Sequence, residues 1–295
     1  EYVRSAAEKL NQIKPLKFQE HMTDLVADNE AVLCLSDWHY GMTTDKIWNR
    51  YNTNICRARV VYVISKAIDY IRFHKSKMLH VLLLGDCADG AIRTTSRVAA
   101  EEETCDQIMQ VAEIIAEAVA KLASVVPEVI VYSTYGNHLR TIQNKNDSIH
   151  SDNMEKLIPW WLKARFANCS NIAIADSEFK EFLRLDVCGY RICAIHGDLD
   201  NIKNLGVQVN TIFSKLYGET IDYTISGDKH HLEEFESFDI ENILVRSLCG
   251  TDNYANTKRL YSNAGQTLMI FTPEDGRQCT YNIKIPTIGM RKSHR

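Results

Sequence analysis

The sequence predicts an α/β fold, on three observations. From Ala31 an apolar run, an amphipathic stretch and a second apolar run succeed one another. A longer amphipathic segment then leads into a third run, and beyond Glu181 short strand-like segments dominate. The first run, AVLCLS (31–36), has the length of a strand. After it Val60, Val61, Ile64, Ala67, Ile68 and Ile71 recur at three-to-four spacing, the stripe of a helix that packs on one face. HVLLLG (80–85) completes a β-α-β unit. The segment 99–122 puts Ile108, Val111, Ile115, Val119 and Leu122 on one helical face ahead of VIVYST (129–134). A further helix is expected over 154–166, where Met154, Leu157, Ile158, Trp161, Leu162 and Phe166 keep helical intervals despite Pro159. EFLRLDV and YRICAIHGD, separated by Cys188-Gly189, read as a hairpin. A helix over 207–216 precedes DYTISGD, and ILVRSL, TLMIF and CTYNIKI supply the later strands.

The chain has 295 residues, 45% of them hydrophobic, which is enough for a continuous core. Without repeats or low-complexity tracts, one main domain is the simpler organisation. No apolar run approaches the roughly 20 residues that cross a bilayer, and no basic-then-apolar leader is present. The expected location is therefore the cytoplasm, with no membrane partner. Glu1 in place of Met, and helix-favouring residues 1–14 ending before Pro15, point to residues 1–30 as a helix or linker at the end of an upstream domain. The nine cysteines form no C-x-x-C pair. Cys34, Cys87, Cys188 and Cys193 lie in or beside apolar runs, so they read as reduced, buried thiols. A net charge of -4 argues against a broad polyanion-binding surface. It leaves room for a local one, because bound divalent cations reverse the sign inside a cleft.

Five strand-like runs end in metal-binding residue types. VLCLSDWH ends with Asp37 and His39, VLLLGDCAD with Asp86 and Asp89, VYSTYGNH with Asn137 and His138, and ICAIHGD with His196 and Asp198; ISGDKHH carries Asp228, His230 and His231. In an open α/β sheet the ends of strands are where ligands bind. Singly, each has an ordinary explanation. A histidine after a buried strand is usually a hydrogen-bonded rim residue, an aspartate after glycine a turn former, and Gly136-Asn137 a plain turn signal. Unrelated turns would rarely supply D-x-H, G-D-x-x-D, G-N-H, H-G and G-x-x-H in that order.

That ordered set resembles the calcineurin-like metallophosphoesterases, from Ala31 to Phe271. The S-D-x-x-E-x-L-I segment after G-N-H is similar to that of phage-encoded members described as DNA-repair-exonuclease-like. The resemblance implies a four-layer α/β/β/α metallophosphoesterase sandwich of two mixed sheets over 31–295, with the 101–122 and 154–166 helices outside it. It implies two divalent ions, manganese first, with magnesium, iron or zinc as alternatives. Metal one takes Asp37, His39, Asp86 and a late histidine; metal two takes Asp86, Asn137, His196 and one residue of the last motif. Two ions about 3.5–4 Å apart need a shared carboxylate, and Asp86 is the candidate. A metal-bridging hydroxide then attacks phosphorus, while His138 stabilises the transition state or protonates the leaving oxygen.

Two departures from the family pattern stand out. Leu139 replaces the acid that usually follows G-N-H, and Asp89 stands where it can orient His138 instead. The last motif reads G-D-K-H where G-H-x-H is expected, so Asp228 falls at the metal-two position and His230 at metal one. Either Asp228 supplies a hard oxygen donor favouring manganese or magnesium, or it turns away and metal two is held loosely. His231 is left as packing. Arg93, Arg97, Arg140 and Lys229 lie on site-side loops where a phosphate would pass; Tyr40 and Trp38 flank the first motif, as stacking platforms or as packing.

The resulting expectation is a phosphodiesterase or nuclease acting on DNA, RNA or a nucleotide, in the host cytoplasm if phage-encoded. A phosphomonoesterase is the alternative, less favoured because Ala91 follows Gly90 where phosphoprotein phosphatases carry arginine. A non-catalytic member with a degraded site is the third, and the 151–166 helix with Trp160-Trp161 is its candidate partner face or a homo-oligomer seam.

Overall fold

A computed structural model describes residues 27–286. The expected N-terminal helix at 1–14 lies outside the described residues. In chain order the elements are β1 (Ala27–Leu35), β2 (Thr44–Asp45), β3 (Arg50–Tyr51), α1 (Thr53–His74), β4 (Ser76–Leu83), α2 (Thr94–Ala99), α3 (Thr104–Ala123) and β5 (Glu128–Ser133). They continue with α4 (Leu157–Arg165), β6 (Ile172–Ile174), β7 (Phe182–Val187), β8 (Tyr190–Ile195), α5 (Leu205–Tyr217), β9 (Tyr223–Ser226), β10 (Glu233–Ser237), β11 (Ile240–Leu244), α6 (Asn253–Thr257), β12 (Gly265–Thr272) and β13 (Gly276–Lys284).

Two mixed sheets result. The first has strand order β13-β12-β1-β4-β5-β6, the second β10-β11-β9-β8-β7. Alternation along the strands builds the layers. In β1, Val32 and Cys34 face the second sheet, meeting Leu183, Leu185, Ile192 and Ile225, with Met269 and Phe271 of the neighbouring β12 in the same cluster. Ala31, Leu33 and Leu35 face the other way, where Val60, Ile64 and Ile71 of α1 and Val111, Ile115 and Val119 of α3 cover them. On the outer face of the second sheet, Leu205, Val209 and Phe213 of α5 pack on Cys193 and Ile195. The order of layers is α/β/β/α. Being covered on both faces explains why β1 and β4 read as unbroken apolar runs.

The structure shifts some expected bounds, for physical reasons. The 99–122 helix begins only at Thr104, because two acids before it, Glu101 and Glu102, are spent on tertiary bonds. Glu101 accepts from the backbone and hydroxyl of Thr53 at the start of α1, and Glu102 from the Tyr40 hydroxyl. Pro159 falls in the first turn of α4, where no intrahelical donor is lost. Strand β1 starts four residues ahead of Ala31. That polar segment is held by Asn29, which exchanges side-chain bonds with His74 and Ser76. The 188–189 turn is a two-residue hairpin with both central residues at positive φ, 53° and 86°. All nine cysteines are unbridged. Among the described residues no helix is long and apolar enough to cross a membrane.

Candidate metal centre

β1, β4 and β5 are parallel neighbours in the first sheet, as are β8 and β9 in the second. The contacts of His196 with Asp86 and of His230 with Asp37 put all five strand ends on one rim, and the five motifs follow those ends. The loops after β1 and β4 run side by side, Asp37 donating to Gly85, His39 to the Asp86 carbonyl and Asp89 to that of Tyr40. Close approach sets the glycines. A Cβ on Gly136 would lie 2.1 Å from Asp86 Oδ1, and one on Gly85 would lie 2.5 Å from the Gly136 nitrogen. Asp37, His39, Asp86, Asp228 and His230 all adopt positive φ, between 44° and 60°. Left-handed backbone at non-glycine residues costs of order 1–3 kcal/mol each and gathers at functional sites.

These loops bring the seven expected ligands together. Asp86 Oδ2 is the centre, 3.4 Å from His196 Nε2 and 3.9 Å from His39 Nε2. Its Oδ1 accepts the His138 backbone N–H at 2.8 Å, which fixes the carboxylate plane. On one side His230 Nε2 lies 3.2 Å from Asp37 Oδ1 and 3.3 Å from His39 Nε2. On the other, Asp228 Oδ1 lies 3.6 Å from His196 Nε2 and 3.5 Å from Asn137 Nδ2. Asp228 thus turns toward the metal-two residues. Its second oxygen pairs with Lys229 at 2.7 Å.

The donor set fits divalent ions on grounds internal to the protein. Asp37 Oδ1 and His196 Nε2 are buried without a well-aligned hydrogen bond, their neighbours being His230 Nε2 at 3.2 Å and Asp86 Oδ2 at 3.4 Å, an arrangement that a cation would relieve. His196 Nδ1 donates to the Leu84 carbonyl at 2.7 Å, leaving Nε2 as the free lone pair, the usual second bond of a ligating imidazole. Burial alone would raise the carboxyls and lower the imidazoles. Mutual attraction outweighs it: Asp86, with His138, His196 and His39 around it, is held well below the carboxylate range, and His196 and His230 are pushed well above the usual imidazole value. Protons on these rings stand where metal charge would, and ligation displaces them.

His138 and Asp89 form a pair beside the ligands. His138 Nδ1 lies 3.0 Å from the Asp89 carbonyl and 3.2 Å from Asp89 Oδ1, and Nε2 faces Asp86 Oδ2 at 4.0 Å. Burial works against the charged ring, but the charges of Asp86 and Asp89 outweigh it and raise the His138 pKa above the usual imidazole value. Leu139 is fully buried in the helix-side core, which accounts for the apolar residue after G-N-H. Asp198 lies off the cluster, paired with Lys145 at 2.8 Å. His231 is a neighbour of Glu233 at 3.2 Å and exposed.

The basic and aromatic candidates divide. Arg93 is exposed, its guanidinium 5.7 Å from the Tyr254 ring centroid. Arg140 instead turns back on its own loop, donating to the carbonyls of Asn137, Ile142 and Gln143. It braces the third motif, with its charge still on the rim. Trp38 and Tyr40 are buried and unavailable to stack on a base. Trp38 donates to Gln266, and the Tyr40 hydroxyl is shared with Glu102 and Arg57. Exposed Arg93 with Arg140, Lys145, Gln143 and Asn137 lines a cavity of about 510 Å³ beside the cluster. A second of about 410 Å³ continues it toward Arg97.

Two supports of the site escape motif reading. Glu155, almost fully buried, accepts the backbone N–H of Cys87 with one oxygen and of Gly136 with the other, both at 2.7 Å, tying the second motif to the third. Burial and the nearby Asp86 charge raise its pKa. Its signal in the sequence is the acid of S-D-x-x-E, at the head of an otherwise apolar segment. Gln266, fully buried on β12, accepts from Ser36 N and Trp38 Nε1 and donates back to the Ser36 carbonyl, holding the first motif. Nothing in the sequence near Gln266 marks it.

No protein-family model matches the chain. A curated relative, the SPbeta prophage-derived uncharacterized protein YonJ of Bacillus subtilis (strain 168), is 25% identical over 293 residues, 96% of this chain and 70% of that protein. Among solved structures, a novel archaeal phosphodiesterase has TM-score 0.42 at 14% identity, covering 86% of this chain and 99% of its own. Vps29 complexed with zinc from Entamoeba histolytica has 0.36 at 13%, covering 86% and 98%. A predicted phosphoesterase from Streptococcus pneumoniae TIGR4 has 0.35 at 10%, covering 88% and 100%. Likenesses of that size carry no argument about activity, which rests on the side chains. What the chain itself shows is two mixed sheets with the donors of all five motifs gathered at successive strand ends.

Proposed function

We propose that this protein is a dinuclear-metal phosphoesterase that cleaves phosphodiesters, with nucleic acid as the substrate class. One observation carries the reading: seven donors from five strand ends meet around Asp86, with Asp37 Oδ1 and His196 Nε2 buried and without a well-aligned hydrogen bond. Asp37, His39, Asp86 and His230 would hold one ion; Asp86, Asn137, His196 and Asp228 the other. When bound, such a pair polarises a phosphoryl oxygen and makes a nucleophile of water at neutral pH. The chain's own groups do the rest. His138, oriented by Asp89 and with its pKa raised by the neighbouring carboxylates, stands beside Asp86 to protonate the departing oxygen. The rim supports a diester over a small monoester: Arg93, Arg97, Arg140 and Lys145 line the two adjoining cavities without an acidic side chain among the lining residues. An extended phosphate chain would cross several of these charges, a small ester one or none.

The test is turnover of nitrophenyl phosphate diester and monoester with manganese added, alongside Asp86→Ala. The diester is expected to turn over faster. Asp86→Ala should lower that rate by at least about a hundredfold, since even supporting groups of a metal site cost 10–100-fold when removed. Hydrolysis of the monoester alone would sink the diester reading. Absence of both activities, with no bound metal by elemental analysis, would favour a binding protein.

A further inference from the structure

We infer that Cys249 is a thiolate ligand of the ion held by Asp37, His39 and His230, which makes the two metal positions chemically unequal. The inference rests on the dinuclear reading above and deepens it. Cys249 is fully buried on the loop after β11, and its Sγ and one nitrogen each of His39 and His230 all lie within 4.8 Å of one another. The backbone there is pinned on both sides. Cys249 donates its N–H to the Asp37 carbonyl, and its own carbonyl accepts from Asn49 Nδ2 and Arg59 Nη1, each at 2.7 Å. The thiol proton points to the Gly250 carbonyl at 3.4 Å, which leaves the sulfur lone pairs to face the histidines. Beside it are Asp37 Oδ1, 3.2 Å from His230 Nε2, and two imidazole nitrogens, His39 Nε2 and His230 Nε2, turned on each other at 3.3 Å. Nitrogens so opposed share one proton or one cation.

Softness then separates the two positions. Thiolate and two imidazoles select zinc or iron(II), whereas Asn137, Asp228 and Asp86 offer oxygens and His196 the one nitrogen, a set suited to manganese or magnesium. The structure therefore assigns a zinc-type ion to the inner position and a harder one to the outer. On ligation the thiol proton is lost to solvent as the sulfur–metal bond forms.

X-ray absorption at the zinc edge on the full chain, loaded to saturation with zinc alone, tests this. The expected result is two zinc ions per chain and a sulfur shell at about 2.3 Å, beyond the nitrogen and oxygen shell at about 2.0–2.1 Å. The shell should vanish in Cys249→Ser. One equivalent of zinc with manganese in excess should leave one of each bound in the unsubstituted protein, and that inner-position zinc preference should fall at least tenfold in Cys249→Ser. Two zinc ions with no sulfur shell would overturn the inference and leave the dinuclear reading standing. A sulfur shell that survives in Cys249→Ser comes from another cysteine and overturns it equally. Absence of bound zinc would overturn both. The shell is read on the unsubstituted chain, so the test stands even if the variant folds poorly.

Discussion

The inner and outer halves of the cluster share Asp86 but are built differently. Around the inner half Asp37 is fully buried, its loop is bonded to Gln266 and to the 245–250 segment, and His39 and Cys249 are fixed by backbone bonds to Asp86 and Asp37. Around the outer half Asp228 keeps a side chain 20% exposed and shares its carboxylate with Lys229, and Asn137 borders the basic cavity. The contrast assigns roles on the proposed function. The inner half is suited to keep its ion, and the outer half to exchange an ion and to meet phosphate.

The sharpest way to break this contrast is to remove one ligand from each half. His230→Ala should lower affinity for the inner ion by more than about a hundredfold, the upper range for groups that merely support ligands. Asp228→Ala should reduce stoichiometry to one ion per chain in elemental analysis at limiting metal. Two ions retained in Asp228→Ala would show that it is not a ligand, and the outer half would then rest on three protein groups. Acidification should weaken both ions, because His196 and His230, raised by their carboxylate neighbours, must give up protons to bind. Metal titrations at falling pH check that sign.

A smaller effect is expected where the halves are joined. Glu155→Gln replaces one accepting oxygen by an NH2 that faces either Cys87 N–H or Gly136 N–H, leaving a buried donor unsatisfied. That costs about 1–3 kcal/mol of stability. Displacing Asp86 and Asn137 should reduce turnover about 10–100-fold. Denaturant melts and kinetics on the same preparation check both. Loss of stability with unchanged turnover would confine Glu155 to holding the fold.

How much of this could be read in advance follows from what each feature depends on. The strand-end donors are legible because a strand, a turn and a ligand are contiguous, as in VLCLSDWH and VLLLGDCAD. The layers are legible in outline because burial on both faces writes an unbroken apolar run. What escapes is set by distance in the chain. Glu155 acts across 68 and 19 residues, Gln266 across 230, and Cys249 meets His39 from the far end of the second sheet. Arg140 escapes for another reason: an arginine beside a site reads as a phosphate contact, and only geometry shows its guanidinium bonded to its own loop. The left-handed backbone at Asp37 and His230 is equally silent, since Asp and His carry no glycine-like signature.

Lys229 gives the mildest test. Its ammonium, 2.7 Å from Asp228 Oδ2, competes with an outer ion for the same carboxylate, and it is exposed enough that the pair is worth at most about 1 kcal/mol. Lys229→Ala should therefore tighten the outer ion by no more than about fivefold, leave the inner ion unchanged, and lose its effect as salt screens the pair. Competitive titration with a metal-sensitive dye at low and high ionic strength measures this. Weaker outer binding in Lys229→Ala would mean that the lysine holds Asp228 in its ligating rotamer, and the outer half would then be preorganised like the inner one.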